Sequence, residues 1–474
     1  MLLRHKRLLA IGVASIIGLV LFTTGLHYPP EARVRGDAYH YLLIASQLGS
    51  VESLFTYAGD RTIGLPFFEY VIKKFLGDHG EINMLQWVDA ICLTLFLTHI
   101  VTAWFFSTWA RKTNLLKSNN AVLLLFVFLA TFPALIGHTT SPLSDTLAID
   151  LLLCGVVSAE AALSKNKLYG ALLFSAAAGL FFGFSILVRP SSVIALAIAS
   201  AFALLIAALT GRRSTIVACT SILACMALIA PSAYHCEQKY GKWCQQNPST
   251  FNAVASAQAG LKGARTVWNK GGINPAPEGV PTLPDSIMFN NYYHRCHLSS
   301  IVGLGDTSLT GCLLARPLAL PAYVVKKWIG LFDHFRFTPY LEDHTPNWLL
   351  WLSRAYDSIA WAGLALAFVI LIKATRRPAR YHLKNFLISN ITPVVLGVYS
   401  VVMLAQHTIL HTEDRYGLPL IPLCALIFFN YGEAAVLQFR LGHWPMLASA
   451  AIVCLVAVSL FITQIVSWDQ TVFY

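Results

Sequence analysis

The residues able to do chemistry gather in four places along the chain. Asp37 stands just ahead of an amphipathic segment, and Arg61 precedes a Gly-x-Pro step at Gly64 and Pro66. His138, Ser144 and Asp145 form the second place, and Arg189 with Pro190 the third. His407, His411, Glu413, Asp414, Arg415 and Tyr416 form the fourth. Carboxylates can serve as a base or a metal ligand, while Arg and His can hold an anion. Moving a group from a lipid phosphate to a hydroxyl needs both.

Each residue also has a plainer role. Asp37 can cap the helix that follows it. Asp145 can be the first-turn acid of its helix. Arg189 can snorkel ahead of a helix-starting Pro. Arg415 can pair with Glu413 or Asp414, although a guanidinium also grips phosphate through two parallel bonds. His407 and His411 are four apart and share a face if helical, yet no acid stands at a familiar metal-site spacing.

The elements that position these residues are hydrophobic spans. Of 474 residues, 56% are hydrophobic and only 12% charged, with a mean hydropathy of +0.61. Such a chain is expected to be an all-α polytopic membrane protein, because helices satisfy their own backbone in lipid. A β-barrel would show alternating ten-residue segments. Apolar runs place eleven spans near 8–26, 84–108, 121–137, 144–163, 168–187, 191–210, 214–233, 347–372, 386–405, 418–438 and 445–466. The first is expected to be a retained span rather than a cleaved leader, with no convincing small-x-small site after it. The three blocks are a catalytic membrane module over 1–233, an outer loop region over 234–346, and C-terminal spans over 347–474.

The net charge is +11. It is not read as nucleic-acid binding, because the basic residues fall in short loops on one side. Arg4, Lys6 and Arg7, then 111–117, 164–167, 211–213 and 373–384, put the N-terminus in the cytoplasm. Segments 27–83 and 234–346 then lie outside. Runs 38–48, 66–77 and 321–335 read as interfacial helices of these outer segments, or as ordinary packed helices of a small outer domain. The Gly/Pro-rich stretch 271–285 reads as a loop with several turns. Six of ten Cys sit in apolar spans; Cys236, Cys244, Cys296 and Cys312 sit in the second outer segment. Two disulfides are expected there, with nearest-neighbour pairing chosen among three connectivities. A zinc site with His235, His294 and His297 is the alternative, though the spacing fits no structural pattern.

Four motifs in this order resemble the GT-C superfamily of membrane glycosyltransferases, in the branch of the protein O-mannosyltransferases and the lipid A aminoarabinose transferase. They are Gly36-Asp37-Ala38-Tyr39-His40-Tyr41; Arg61-Thr62-Ile63-Gly64-Leu65-Pro66, similar to Arg-x-Pro-Gly-Tyr-Pro; Ser144-Asp145 with Arg189-Pro190; and Asp414-Arg415-Tyr416-Gly417-Leu418-Pro419, similar to Arg-Tyr-x-x-Pro. The resemblance implies a polyprenyl-phosphate sugar donor and inverting transfer at the periplasmic face of a bacterial inner membrane. Asp37 would take the acceptor's proton, and Asp145 would be a second acid. Arg61, Arg415, His411 and Arg189 would hold the donor phosphate. Tyr41, His138 and Tyr416 would touch sugar or acceptor. Ala38 replaces a second acid found in several relatives, so no metal is assigned, and a divalent metal stays open as a cofactor.

The acceptor expected is a glycan, a glycolipid or a protein. Two other classes remain. An O-antigen ligase or polymerase would move whole glycans from a polyprenyl diphosphate and rely on outer-loop Arg and His. A transporter would show a repeat between halves and charged residues at mid-span.

Overall fold

A computed structural model of the chain describes residues 2–29, 33–34, 36–59, 61–77, 83–247, 263–267, 286–289, 317–334, 346–375, 391–410, 414–440 and 444–472. Among the described residues, each of the eleven apolar runs overlaps helix. The order is α1 (Leu2–Leu26), α2 (Asp37–Gln47), α3 (Gly64–Leu76), α4 (Met84–Lys112), α5 (Asn119–Thr131), α6 (Pro133–Gly137), α7 (Ser144–Ser164), α8 (Leu168–Val188), α9 (Val193–Thr210) and α10 (Arg212–Tyr240). Then come α11 (Leu320–Phe332), α12 (Asn347–Thr375), α13 (Ile391–Ile409), α14 (Ile421–Arg440) and α15 (Trp444–Val472). Among the described residues, eight helices are long and apolar enough to cross a membrane, and Ile11–Leu26 and Asn119–Thr131 are shorter apolar ones. The protein is an all-α polytopic membrane protein. Its one sheet among the described residues is a two-stranded antiparallel ribbon, β1 (Gly263–Val267) with β2 (Ser286–Phe289), in which Arg265, Thr266 and Val267 face Met288, Ile287 and Ser286 and the register shifts between Arg265 and Gly263, which faces Phe289.

Two of the differences from the sequence expectation trace to Pro and Gly. The run 121–137 is not one helix. Pro133 has no N–H to donate and forces its predecessor extended; Phe132 sits at φ −69°, ψ 113°, and splits the run into α5 and α6. The run 214–233 continues through Pro231 to Tyr240, where Gly241 at φ 69° ends it. At that end Cys236 and Cys244 form a disulfide, as nearest-neighbour pairing predicts. Cys296, Cys312, His294, His297 and the stretch 271–285 lie outside the described residues.

The chain divides into two compact units, Met1–Thr250 with Val369–Val402, and Phe251–Phe368 with Met403–Tyr474. In the first, α8 is the central helix, packed against α7 and α10. Ser175, Gly179 and Gly183 recur every four residues on α8, a small-residue stripe that lets backbones approach. Ser175 donates to the Val217 carbonyl. A Cβ on Gly179 would lie 2.1 Å from the Ser221 oxygen, and one on Gly183 3.1 Å from the Cys225 oxygen, both on α10. Between α4 and α7, His99 Nδ1 meets Asp150 Oδ1 at 3.0 Å while His99 Nε2 meets the Leu129 carbonyl at 3.0 Å. With so much apolar side chain around them, these buried polar groups survive by being paired.

In the second unit α11 is bonded to the end of α13. Tyr323 donates to the Thr408 carbonyl at 2.9 Å, and the fully buried Lys327 donates to the Leu410 carbonyl at 2.7 Å. These donors satisfy carbonyls that a helix end leaves without partners. Arg354 bonds Asp333 at 3.1 Å, and Asp357 accepts from the His334 backbone N–H at 2.8 Å.

α3 is amphipathic as expected and starts two residues before the predicted 66–77. It buries Gly64, Leu65, Pro66, Glu69, Tyr70 and Ile72 and leaves Phe75 exposed. Glu69 is fully buried, and neither carboxyl oxygen has a hydrogen-bond partner. Burial alone pushes its carboxyl well above the ordinary 4.5, so it is neutral. A group held protonated by the fold adds stability that is full below its unfolded value and is lost as pH rises through the folded one. The wild-type melting temperature in detergent is therefore expected to fall, relative to Glu69→Gln, as pH rises above about 4.5 and to level off once the carboxyl ionises. Parallel curves for the two proteins would show that Glu69 titrates no differently in the fold.

Candidate active site

Three of the four sequence clusters meet inside the first unit. The meeting depends on α3. Gly64 lies so close to the end of α8 that a Cβ would sit 2.4 Å from the Val188 nitrogen and 2.5 Å from the Leu187 carbonyl carbon. Only glycine fits that approach. Thr62 Oγ1 adds a bond of 3.1 Å to the Val188 carbonyl. Ile63, Leu54 and Leu187 form the apolar cluster beneath. The Gly-x-Pro step is thus the first turn of α3, and it brings Arg61 to the end of α8, one residue from Arg189.

Asp37 begins α2. The residue before it, Gly36, has φ 53°, in the left-handed region that favours glycine. The α2 start shows no side-chain cap at Gly36. Asp37 Oδ1 instead accepts from Arg61 at 2.8 Å, with the two side chains 20% and 31% exposed. The Arg61 Nε–H is buried and has no acceptor among the described residues.

A deeper pair lies behind. Asp145, in the first turn of α7, pairs with Arg189 at the end of α8, and Arg189 Nε donates to Ser191 Oγ at 3.3 Å. Asp145 is 1% exposed and Arg189 11%. His138 Nδ1 is 3.5 Å from Asp145 Oδ2, at the outer limit of a hydrogen bond. Tyr41 on α2 reaches Ser144 Oγ at 3.4 Å. Burial and the Asp37 charge push the Tyr41 phenol up to about 12, while Arg189 and Arg61 pull the other way. Tyr41 is therefore neutral and lies within the field of both pairs.

The floor of this site is the segment 138–142 between α6 and α7, whose burial hydropathy alone does not reveal. Every residue from 128 to 150 is buried. The hydroxyls there bond locally: Thr139 to the Ile136 carbonyl at 2.7 Å, Thr140 to Gly137 at 2.8 Å, and Thr146 to Leu135 at 3.1 Å. The end of α1 covers them, with Gly25 against Thr140. The signal available was the run of Ser and Thr, which can hydrogen-bond their own backbone.

Arg415 and Tyr416 belong to the second unit. The Arg415 guanidinium lies 5.8 Å from the Tyr416 ring centre, and that ring stacks on His407 at 5.2 Å. Gly417 packs on the Leu331 carbonyl of α11. His411 and Glu413 lie outside the described residues.

A metal fits this donor set poorly. The carboxylates of Asp37 and Asp145 each face a guanidinium. Among the described residues, no three His, Cys, Asp or Glu are grouped to hold an ion.

Breaking a buried ion pair leaves one charge stranded in a low dielectric, at a cost of about 3–5 kcal/mol. Asp145→Asn and Arg189→Gln are each expected to cost that much, and the double replacement less than their sum. Unfolding of the detergent-solubilised protein in an SDS series measures all three. Strict additivity would mean the two charges are not coupled.

No family model matches the sequence, and no curated protein matches it. Among solved structures the chain is similar to the archaeal oligosaccharyltransferase AglB from Archaeoglobus fulgidus, solved with an inhibitory peptide and a dolichol-phosphate. The TM-score is 0.50 at 14% identity, covering 97% of this chain and 55% of that one. The chain thus spans about half the length of that protein. At this identity the likeness shows a shared fold alone.

Proposed function

We propose that the chain is a glycosyltransferase of GT-C type that moves one sugar from a polyprenyl phosphate to a hydroxyl of a glycan, glycolipid or protein. The observation that carries this reading is the Asp37–Arg61 pair at 2.8 Å, set at the partly exposed edge of a buried charged cluster. A base and an anion holder stand side by side there. The Arg61 Nε–H still lacks an acceptor, which is what an incoming phosphate oxygen would supply. The resemblance of the four motifs and the fold of the dolichol-phosphate-bound AglB point the same way.

The chemistry follows from the geometry. The acceptor oxygen attacks the anomeric carbon as its proton passes to Asp37. The bond from that carbon to the phosphate oxygen breaks, and its electron pair leaves on the lipid phosphate. Arg61 compensates that charge. Attack from the face opposite the phosphate inverts the anomeric centre. Before donor binds, Arg61 ties up the carboxylate of Asp37. A lipid phosphate competes for the guanidinium and frees the base, so proton removal is matched to donor occupancy. Asp145 and Arg189 hold the floor beneath, and contact of Tyr41 and His138 with sugar or acceptor rests on the motif resemblance. The phosphate roles of Arg415 and His411, the Tyr416 contact, the inner-membrane location and a cytoplasmic N-terminus rest on the sequence motifs and charge pattern.

Removing a general base costs about 10²–10⁴ in rate. Asp37→Asn is therefore expected to abolish a hexose- or pentose-sized mass increment on surface glycan, lipid or protein of cells carrying the gene, with membrane insertion unchanged. Persistence of that increment in the inserted variant overturns the assignment of Asp37 and favours the ligase class. No increment with the unmodified protein reopens the transporter class.

A further inference from the structure

The segment 236–247 comprises the last turn of α10 and the residues after it, and takes no part in the site just described. Its polar groups converge on two consecutive carbonyls. Lys239 Nζ donates to the Ala58 carbonyl at 2.6 Å, and Tyr240 Oη reaches the same oxygen at 3.4 Å. The Asn247 backbone N–H donates to the Gly59 carbonyl at 2.7 Å. Ala58 and Gly59 stand three and two residues before Arg61. The segment is itself closed by the Cys236–Cys244 disulfide, eight residues apart, and Cys236 Sγ lies 3.6 Å from the Gln246 carbonyl. Further back, Leu228 and Ile229 of α10 pack against the cluster of Leu54, Ile63 and Leu187.

Arg61 is thus held from both sides. After it, Thr62 and Gly64 are bonded and packed to the end of α8. Before it, the only backbone bond from Gly59 among those described runs to Asn247, 188 residues away in sequence. A loop tip bonded to another loop stays ordered only while that second loop keeps its shape. The loop closed by the disulfide from Cys236 to Cys244 holds one glycine, Gly241 at φ 69°, and has many more conformations when open.

From this geometry we infer that the disulfide-closed segment 236–247 is a positioning clamp for Arg61, so that the grip on the donor's phosphate requires oxidised Cys236 and Cys244. Lys239, Tyr240 and Asn247 act through the 58–59 backbone and do not touch substrate. The phosphate part of this inference rests on the function proposed above; the clamp itself does not.

The test uses the full chain in nanodiscs, oxidised and after treatment with a phosphine reductant. Hydrogen exchange of a peptide covering 53–63 is expected to speed by about tenfold on reduction, as a local opening would allow. The variant Cys236→Ser/Cys244→Ser is expected to show the faster rate without reductant and no further change with it. Lys239→Met and Asn247→Pro keep the disulfide and should release the same peptide. Undecaprenyl phosphate serves as the binding probe, and its affinity is expected to fall about tenfold wherever exchange rises, the worth of one charge-assisted contact. If exchange quickens only within 236–247, the clamp is overturned. If exchange of 53–63 quickens but affinity holds, the link to the phosphate grip is overturned. If the oxidised protein binds no undecaprenyl phosphate, the donor assignment fails, and the clamp stands or falls on exchange alone.

Discussion

The contact on which the site depends is the approach of Gly64 to the backbone of Leu187 and Val188. A side chain at 64 would push α3 away from the end of α8. Arg61 would then leave the neighbourhood of Asp37, and two carboxylate–guanidinium pairs would no longer share one field. The same economy recurs inside the bundle, where Ser175, Gly179 and Gly183 bring α8 against α10. Helices of ordinary apolar composition gain little from burying more apolar surface in lipid, so close backbone packing has to hold them. Missing side chains at a few positions therefore place the charged ones.

The charges obey a second constraint. In a protein this apolar, an unpaired ion at depth is prohibitive. Arg33 reaches Asp89 at 2.8 Å, Asp145 has Arg189, and His99 has Asp150. The pairs grade with depth. Asp145 and Arg189 are sealed, while Asp37 and Arg61 keep a fifth to a third of their side-chain surface. A pair exposed to that degree can exchange partners at modest cost, and a sealed one cannot. The two pairs thus differ in their freedom to exchange partners without any difference in residue type.

Much of the architecture was legible because hydropathy is a long-range signal. Runs of some twenty apolar residues overlap helix throughout the described residues, and eight of those helices are long and apolar enough to cross a membrane. Pro133 broke one helix and Pro231 did not break another, since a neighbouring helix can re-satisfy a freed carbonyl and a local pattern cannot reveal that neighbour. Asp37, Arg61, Asp145 and Arg189 were picked from their types and places, and the fold brings all four together. Their pairing was not legible. Asp145 lies 44 residues before Arg189, and nothing in either motif names the other. The cover that α1 lays on the 138–142 segment was hidden for the same reason. So was the part played by Lys239, Tyr240 and Asn247, whose partners are backbone carbonyls and leave no trace in side-chain type.

The buried run of hydroxyls under the site has one more consequence. A chain of Ser and Thr across a membrane protein resembles a wire for protons, each hydroxyl receiving from one neighbour and passing to the next. Here Thr131, Thr139, Thr140 and Thr146 all spend their hydrogens on carbonyls of nearby residues. A carbonyl takes a hydrogen bond but hands no proton onward. Through those four bonds no proton passes from one hydroxyl to the next, so the run serves to satisfy its own backbone rather than to conduct.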